Sequence, residues 1–195
     1  MEKIDVVCEH YSLPAKTNRL IQDCREAGDE ICSRANGRGS IPQFEPADGR
    51  VCWNLLNSVV QQNLIHSKAT DCKATIRKPV FCEWGSGLGL VTLIAATIGM
   101  TATGIEIEEE LVDSARDFSK KFSIPVSFIN ASIYPEDNLI PIIDYKEVDL
   151  FFAYPWPNQI TRMIELFGKV AVNGAVLVCY HGGQNYRVLR STSVY

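Results

Sequence analysis

Seven residues, Glu83-Trp84-Gly85-Ser86-Gly87-Leu88-Gly89, stand between two apolar runs. Pro79-Val80-Phe81-Cys82 leads in and Leu90-Val91-Thr92-Leu93-Ile94-Ala95-Ala96 leads out. The first run reads as a buried strand and the second as a helix. A glycine-rich turn at such a junction is a place for a ligand. Glycine accepts positive φ and lets a ligand approach the backbone with no Cβ in the way. The helix start adds unpaired N–H groups and a positive dipole end.

Thr101-Ala102-Thr103-Gly104-Ile105-Glu106 reads as a second strand ending in an acid, seventeen positions after Gly89. Strand, turn, helix, strand and acid together are the sequence form of a βαβ nucleotide-binding unit. An acid there can accept hydrogen bonds from both ribose hydroxyls. The dinucleotide fingerprint needs glycine at the sixth position of G-x-G-x-x-G. Counted from Gly85 that position is Leu90. The Glu83 carboxylate would also repel a pyrophosphate, so an NAD-dependent oxidoreductase is disfavoured. Glu108, Glu109 and Glu110 read as the acidic first turn of a helix from Leu111 to Lys121, with Lys120 and Lys121 suited to its other end.

Three more strands are expected. Pro125 to Ser132 forms the third with its exit loop, Val148 to Ala153 the fourth, and the run after the Asn173-Gly174 turn the fifth, ending in Tyr180-His181-Gly182-Gly183. Tyr186 to Tyr195 can form a last edge strand, and no substrate domain is expected after it. The fourth strand ends in Tyr154-Pro155-Trp156-Pro157. Ligands of open α/β sheets bind beyond the carboxyl ends of the strands, which places this tetrapeptide at the site. Its prolines stiffen the loop, and Tyr154 and Trp156 offer flat faces to a planar or cationic group.

The acidic-x-G-x-G-x-G turn followed by Glu106 resembles motif I of the class I S-adenosylmethionine-dependent methyltransferases, and Tyr154-Pro155-Trp156-Pro157 stands at the position of motif IV. The resemblance covers roughly residues 79–195. It implies a doubly wound, mostly parallel α/β sheet of the Rossmann-like methyltransferase type, with an antiparallel C-terminal edge strand and an N-terminal helical cap. It implies S-adenosylmethionine as cofactor. Glu83, Gly85, Ser86, Gly87 and Gly89 would wrap its amino-acid end, with Glu83 facing the ammonium group. Glu106, with Ile107 beside it, would hold the ribose. Trp84 either lies beside the cofactor or packs on the sheet. Asn130 and Ser132 stand where the family usually has an acid for the adenine amino group. Tyr154 and Trp156 would border the departing methyl group, and Tyr154 would also touch the cofactor.

The candidates for a general base are Tyr154, His181, at the end of the fifth strand, and Asp149, which suits a structural place within the fourth strand. Amino methyltransferases of nucleic acid often carry Asn/Asp-Pro-Pro-Tyr in motif IV, and transfer RNA guanine-N7 enzymes carry Pro-Asp-Pro-Trp. Ala153 and Tyr154 replace the polar residue of both patterns. A small-molecule or protein acceptor is therefore favoured over nucleic acid, and no motif specifies which. The competing readings are a binding module that performs no transfer and an aminopropyl transferase of the same fold. The latter usually places acids in the fourth-strand loop, which here has none.

With 195 residues, 46% apolar and 22% charged, the chain supports one compact domain: a cap or lid segment over 1–78 and the cofactor-binding core over 79–195. Net charge is −4, which lacks the basic footprint of a nucleic-acid binder. No signal-peptide pattern or membrane-length apolar run stands in the sequence. Seven scattered cysteines with no C-x-x-C pair suit a cytoplasmic protein with reduced thiols. With His10, His66 and His181 far apart, no metal site is expected. Lys16 to Arg34 reads as an amphipathic helix with Leu20, Cys24, Ala27 and Ile31 in its stripe, and Arg50 to Leu64 as another with Val51, Leu55, Val59 and Gln62. The Gly- and Pro-rich stretch between them reads as a loop, in which Phe44 and Asp48 are candidate lid residues.

Overall fold

A computed structural model describes residues 1–35, 45–65, 69–70, 75–134 and 143–192. Its strands are β1 (Glu2–Ile4), β2 (Ala69–Thr70), β3 (Thr75–Ile76), β4 (Val80–Trp84), β5 (Thr101–Glu106), β6 (Ser127–Asn130), β7 (Leu150–Ala153), β8 (Val176–Tyr180) and β9 (Tyr186–Arg190). Its α-helices are α1 (Ala15–Ala35), α2 (Gly49–Gln61), α3 (Leu90–Thr97), α4 (Glu109–Lys121) and α5 (Ile160–Val170). Seven strands form one sheet in the order β1-β9-β8-β7-β4-β5-β6, while β2 and β3 pair separately.

Pairing from β8 through β7, β4 and β5 to β6 is parallel. β9 is antiparallel to β8. The chain leaves β4 toward β5 and β6, then returns to lay β7 on the other side of β4. That reversal makes the boundary between β4 and β7 a topological switch point, where a crevice opens at the carboxyl ends of the strands. The mostly parallel, doubly wound sheet is the expected one.

Both faces of the sheet are covered, so its strands carry apolar residues on both sides. Phe81, Leu150, Phe152, Val176 and Val178 join the core beneath α1–α4, whereas Cys82, Trp84, Phe151, Ala153, Leu177 and Cys179 join the core beneath α5. Along each strand the neighbours alternate between the two cores, as a period of two requires.

Helix α2 is more deeply buried than a surface stripe implies. Leu55, Leu56 and Val59 are fully buried, each contributing about 1.5–3 kcal/mol. Trp53 and Ser58 are buried as well. Asp48 starts the helix: its Oδ1 accepts from the N–H groups of Arg50 and Val51 at 2.9 and 3.0 Å. Gln62 is the C-cap rather than a stripe residue, and its Nε2 donates to the Val7 carbonyl at 2.6 Å. Among the α1 stripe residues, Leu20 and Cys24 are fully buried and Ala27 and Ile31 half-buried.

Two elements depart from expectation. The antiparallel strand β9 is not the sheet edge, because β1 pairs outside it, with Glu2 opposite Arg190 and Ile4 opposite Val188. Three residues are too few to show alternation, so this strand has no sequence signature of its own. Helix α5 was not anticipated, although Met163, Leu166 and Phe167 have the i, i+3, i+4 spacing of a buried face.

Candidate functional site

The glycine turn sits at the end of β4, over the switch point. Gly85, Gly87 and Gly89 have φ of 71°, 51° and 76°. The turn is tied to the adjacent strand: the N–H groups of Gly85 and Ser86 both donate to the Ile105 carbonyl at 2.9 Å. Gly85 and Gly89 serve different needs. A Cβ on Gly89 would lie 2.4 Å from Phe128 Cζ, so this position serves packing beneath the turn, and it does not line the cavity described below. A Cβ on Gly85 would meet nothing within 4 Å. Gly85 is therefore the open face of the turn.

Glu106 closes the turn from the end of β5. It is 8% exposed, and its carboxylate accepts three backbone N–H groups: Gly87 at 2.8 Å on Oε2, and Ile107 at 2.8 Å and Glu108 at 3.0 Å on Oε1. A carboxylate has about four lone-pair sites, so one remains for a ligand. Glu83 is buried on the other side of the turn. Its Oε2 accepts from the backbone N–H of Thr92 at 2.8 Å and from the Thr92 hydroxyl, across the first turn of α3. Burial pushes its carboxyl up to about 8, with the Thr92 bonds pulling the other way and Glu106 adding to the rise.

A cavity of about 870 Å³ opens at the carboxyl ends of β4, β5, β7 and β8. It brings together Glu83, Gly85, Ser86, Gly87, Glu106, Ile107, Ser132, Tyr154, Trp156 and His181. Asn130 does not reach it: its Nδ2 donates to the carbonyls of Glu106 and Ile107 at 3.2 and 2.8 Å, fastening β6 to the β5–α4 turn. Trp84 borders the cavity, but its ring is 1% exposed and packs in the core beneath α5, 5.0 Å from the Phe151 ring and 5.9 Å from that of Tyr145. The Ser86 side chain lies over Gly104, where a Cβ would stand 2.7 Å from Ser86 Cβ. Its hydroxyl is buried and has no hydrogen-bond partner among the described residues. Ser132 is 4% exposed, and its Oγ accepts from the Tyr134 N–H at 3.1 Å.

The other end of the cavity is aromatic. Tyr154 meets Tyr180 edge-on at 4.9 Å and lies near the Glu45 carboxylate. Burial, followed by the charge of Glu45, raises its phenol to about 12. Pro155 is buried and Trp156 half-buried. His181 follows β8, where its N–H donates to the Asn185 carbonyl at 2.8 Å. Burial first, and then the charge of Arg187, lower its pKa below 6.5, so the imidazole is neutral at pH 7.

Asp149 stands away from this end. It precedes β7 at the amino ends of the strands, where it takes both Arg77 guanidinium nitrogens at 2.7 and 2.8 Å and the Val80 N–H at 2.8 Å. Its role is structural. Asp48 caps α2 and does not line the cavity, and Phe44 lies outside the described residues. Among the lining residues that sequence reasoning missed are Arg187 and Glu45. Arg187 reads in the sequence as one of an ordinary surface pair with Arg190, and Glu45 as part of a loop. Only the β8–β9 pairing, with Arg187 opposite Cys179, brings that cation to the site.

The architecture is that of the class I methyltransferase fold. An RNA methyltransferase from Salinibacter ruber, solved with S-adenosyl-L-homocysteine, superimposes with a TM-score of 0.51 at 20% identity, over 78% of this chain and 93% of that one. Magnesium protoporphyrin IX methyltransferase from Synechocystis PCC 6803, solved with bound SAM, gives a TM-score of 0.48 at 14% identity, over 87% of this chain and 77% of that one. The Pyrococcus abyssi tRNA (uracil-54, C5)-methyltransferase gives 0.48 at 16% identity, over 72% of this chain and 30% of that one. No protein-family model and no curated protein sequence matches the chain. No helix among the described residues is long and apolar enough to cross a membrane.

Proposed function

We propose that the protein binds S-adenosylmethionine at the glycine turn and transfers its methyl group to an acceptor held between Tyr154, Trp156 and His181. The observation that carries this reading is the pairing of an open glycine face with a buried acid. Gly85 has free space where a side chain would project, and Glu106 keeps a lone pair beside it. These features fit the amino-acid end and the ribose of that cofactor. Glu83 would lie near its ammonium group, and Ile107 and Ser132 would flank its adenine.

When bound, the cofactor supplies an electrophilic methyl group on a sulfonium. That group would pass to the acceptor's lone pair, with the carbon–sulfur electron pair left on sulfur. The chain's task is then orientation, which can lower such a barrier by about 7–11 kcal/mol. Pro155 and Pro157 hold Tyr154 and Trp156 in a stiff loop that sets the acceptor plane. Neutral His181 accepts the proton that the acceptor releases. Tyr154 is a poor base, because its phenol is held protonated.

Calorimetric titration with S-adenosylmethionine and S-adenosylhomocysteine tests the cofactor. Micromolar binding by the wild type, lost in Glu106→Ala, is expected; absence of binding by the wild type refutes the reading. Transfer of a labelled methyl group to a metabolite or protein extract separates an enzyme from a binding module.

A further inference from the structure

The acceptor end of the cavity has an unbalanced charge. Two cations line the cavity, Arg162 and Arg187. Arg162 stacks on the Tyr134 ring, 3.5 Å from its centroid. Arg187, exposed at the mouth, makes no hydrogen bond or ion pair among the described residues, although it lies close enough to His181 and Cys179 to bias both electrostatically. Three of the four acids that line the cavity stand elsewhere. Glu83, Glu106 and Glu108 cluster around the glycine turn, while Glu45 lies beside Tyr154. The acceptor end thus combines flat aromatic walls, a neutral imidazole and an uncommitted guanidinium. The cavity, about 870 Å³, lies near the top of the usual range for small-molecule sites, which leaves room for a second small ligand beside a nucleotide-sized one.

We infer that the acceptor is a small aromatic carboxylic acid, whose ring lies against Tyr154 and Trp156 and whose carboxylate is anchored by Arg187. A guanidinium fork matches a carboxylate bidentately. The anchored ring presents a hydroxyl or amino substituent to His181, which takes its proton as the methyl group arrives. The inference rests on the proposed cofactor reading and goes beyond it in naming the acceptor class. A nucleic-acid acceptor would need many cations along a groove. Two exposed arginines at the cavity, on a chain of net charge −4, do not supply them.

The test uses the full chain saturated with S-adenosylhomocysteine, whose own affinity is measured first. The probes are 3-hydroxybenzoate, 4-hydroxyphenylacetate and anthranilate, each beside its neutral carboxamide. The acids are expected to bind about five- to tenfold more tightly than the amides, the size of one charge-assisted contact reduced by solvent exposure. Arg187→Gln is expected to abolish that preference and leave S-adenosylhomocysteine affinity unchanged. Equal binding of acids and amides, no binding of any acid, or a preference that survives in Arg187→Gln overturns the inference. So does labelled transfer that appears only with RNA. If S-adenosylhomocysteine itself fails to bind, the cofactor reading falls and this inference falls with it. Binding of the cofactor product without discrimination among the probes refutes only the acceptor class.

Discussion

Replacing Glu106 with glutamine changes little in shape and removes a charge from the centre of the site. In the native turn one carboxylate oxygen takes the N–H groups of Ile107 and Glu108, and the other takes that of Gly87 at 2.8 Å. A glutamine can keep only one side of this arrangement. With its carbonyl oxygen toward Ile107 and Glu108, its amide nitrogen meets the Gly87 N–H, and two donors face each other. The loss is one charge-assisted bond of about 1.5–3 kcal/mol, with weakening of the other two. Glu106→Gln is therefore expected to destabilise the folded protein by about 2–4 kcal/mol, measured by denaturant unfolding without ligand. Repeating the measurement with S-adenosylhomocysteine at about 100 times its wild-type Kd separates the structural from the binding role. The wild type gains about 2.7 kcal/mol under those conditions, whereas a variant with 100-fold weaker affinity gains about 0.4 kcal/mol. A ligand-free stability within about 0.5 kcal/mol of wild type, the range of an unremarkable surface change, would refute the claim that this carboxylate holds the turn.

Two further perturbations follow from the same geometry. Asp149→Ala strands the Arg77 guanidinium and the Val80 N–H at the amino ends of the central strands. With Arg77 21% exposed, the cost should be about 2–4 kcal/mol in chemical denaturation, with S-adenosylhomocysteine affinity unchanged. Loss of that affinity would contradict a purely structural role. Glu83 has its carboxyl raised from 4.5 to about 8, so the folded protein favours its protonated form. Stability from this group is fully present below pH 4.5 and declines as pH rises to about 8. Across that window the wild type should lose stability relative to Glu83→Gln, and parallel pH–stability curves for the two would disprove the burial effect.

The local chemistry of this protein was legible in the chain. The glycine turn, the acid at the end of β5 and the Pro-stiffened aromatic loop after β7 are local patterns, because each is dictated by backbone freedom or by one strand's exit. The parallel run of β4, β5 and β6 follows from their alternation with α3 and α4. Other features depended on contacts between distant segments. Asn130 looked like a ligand residue, and the β5–β6 register turned its amide onto two carbonyls instead. Trp84 had two open places, and strand alternation put its ring in the core beneath α5. Strand β1 exists because β9 offers it an edge, not because three residues favour extension. Arg187 became part of the cavity only when the hairpin folded back beside His181. Sequence by itself determined which backbone can cradle a ligand, since φ and helix dipoles are properties of neighbouring residues. Only the tertiary structure decided which side chains meet it, since that depends on register and on the face each strand presents.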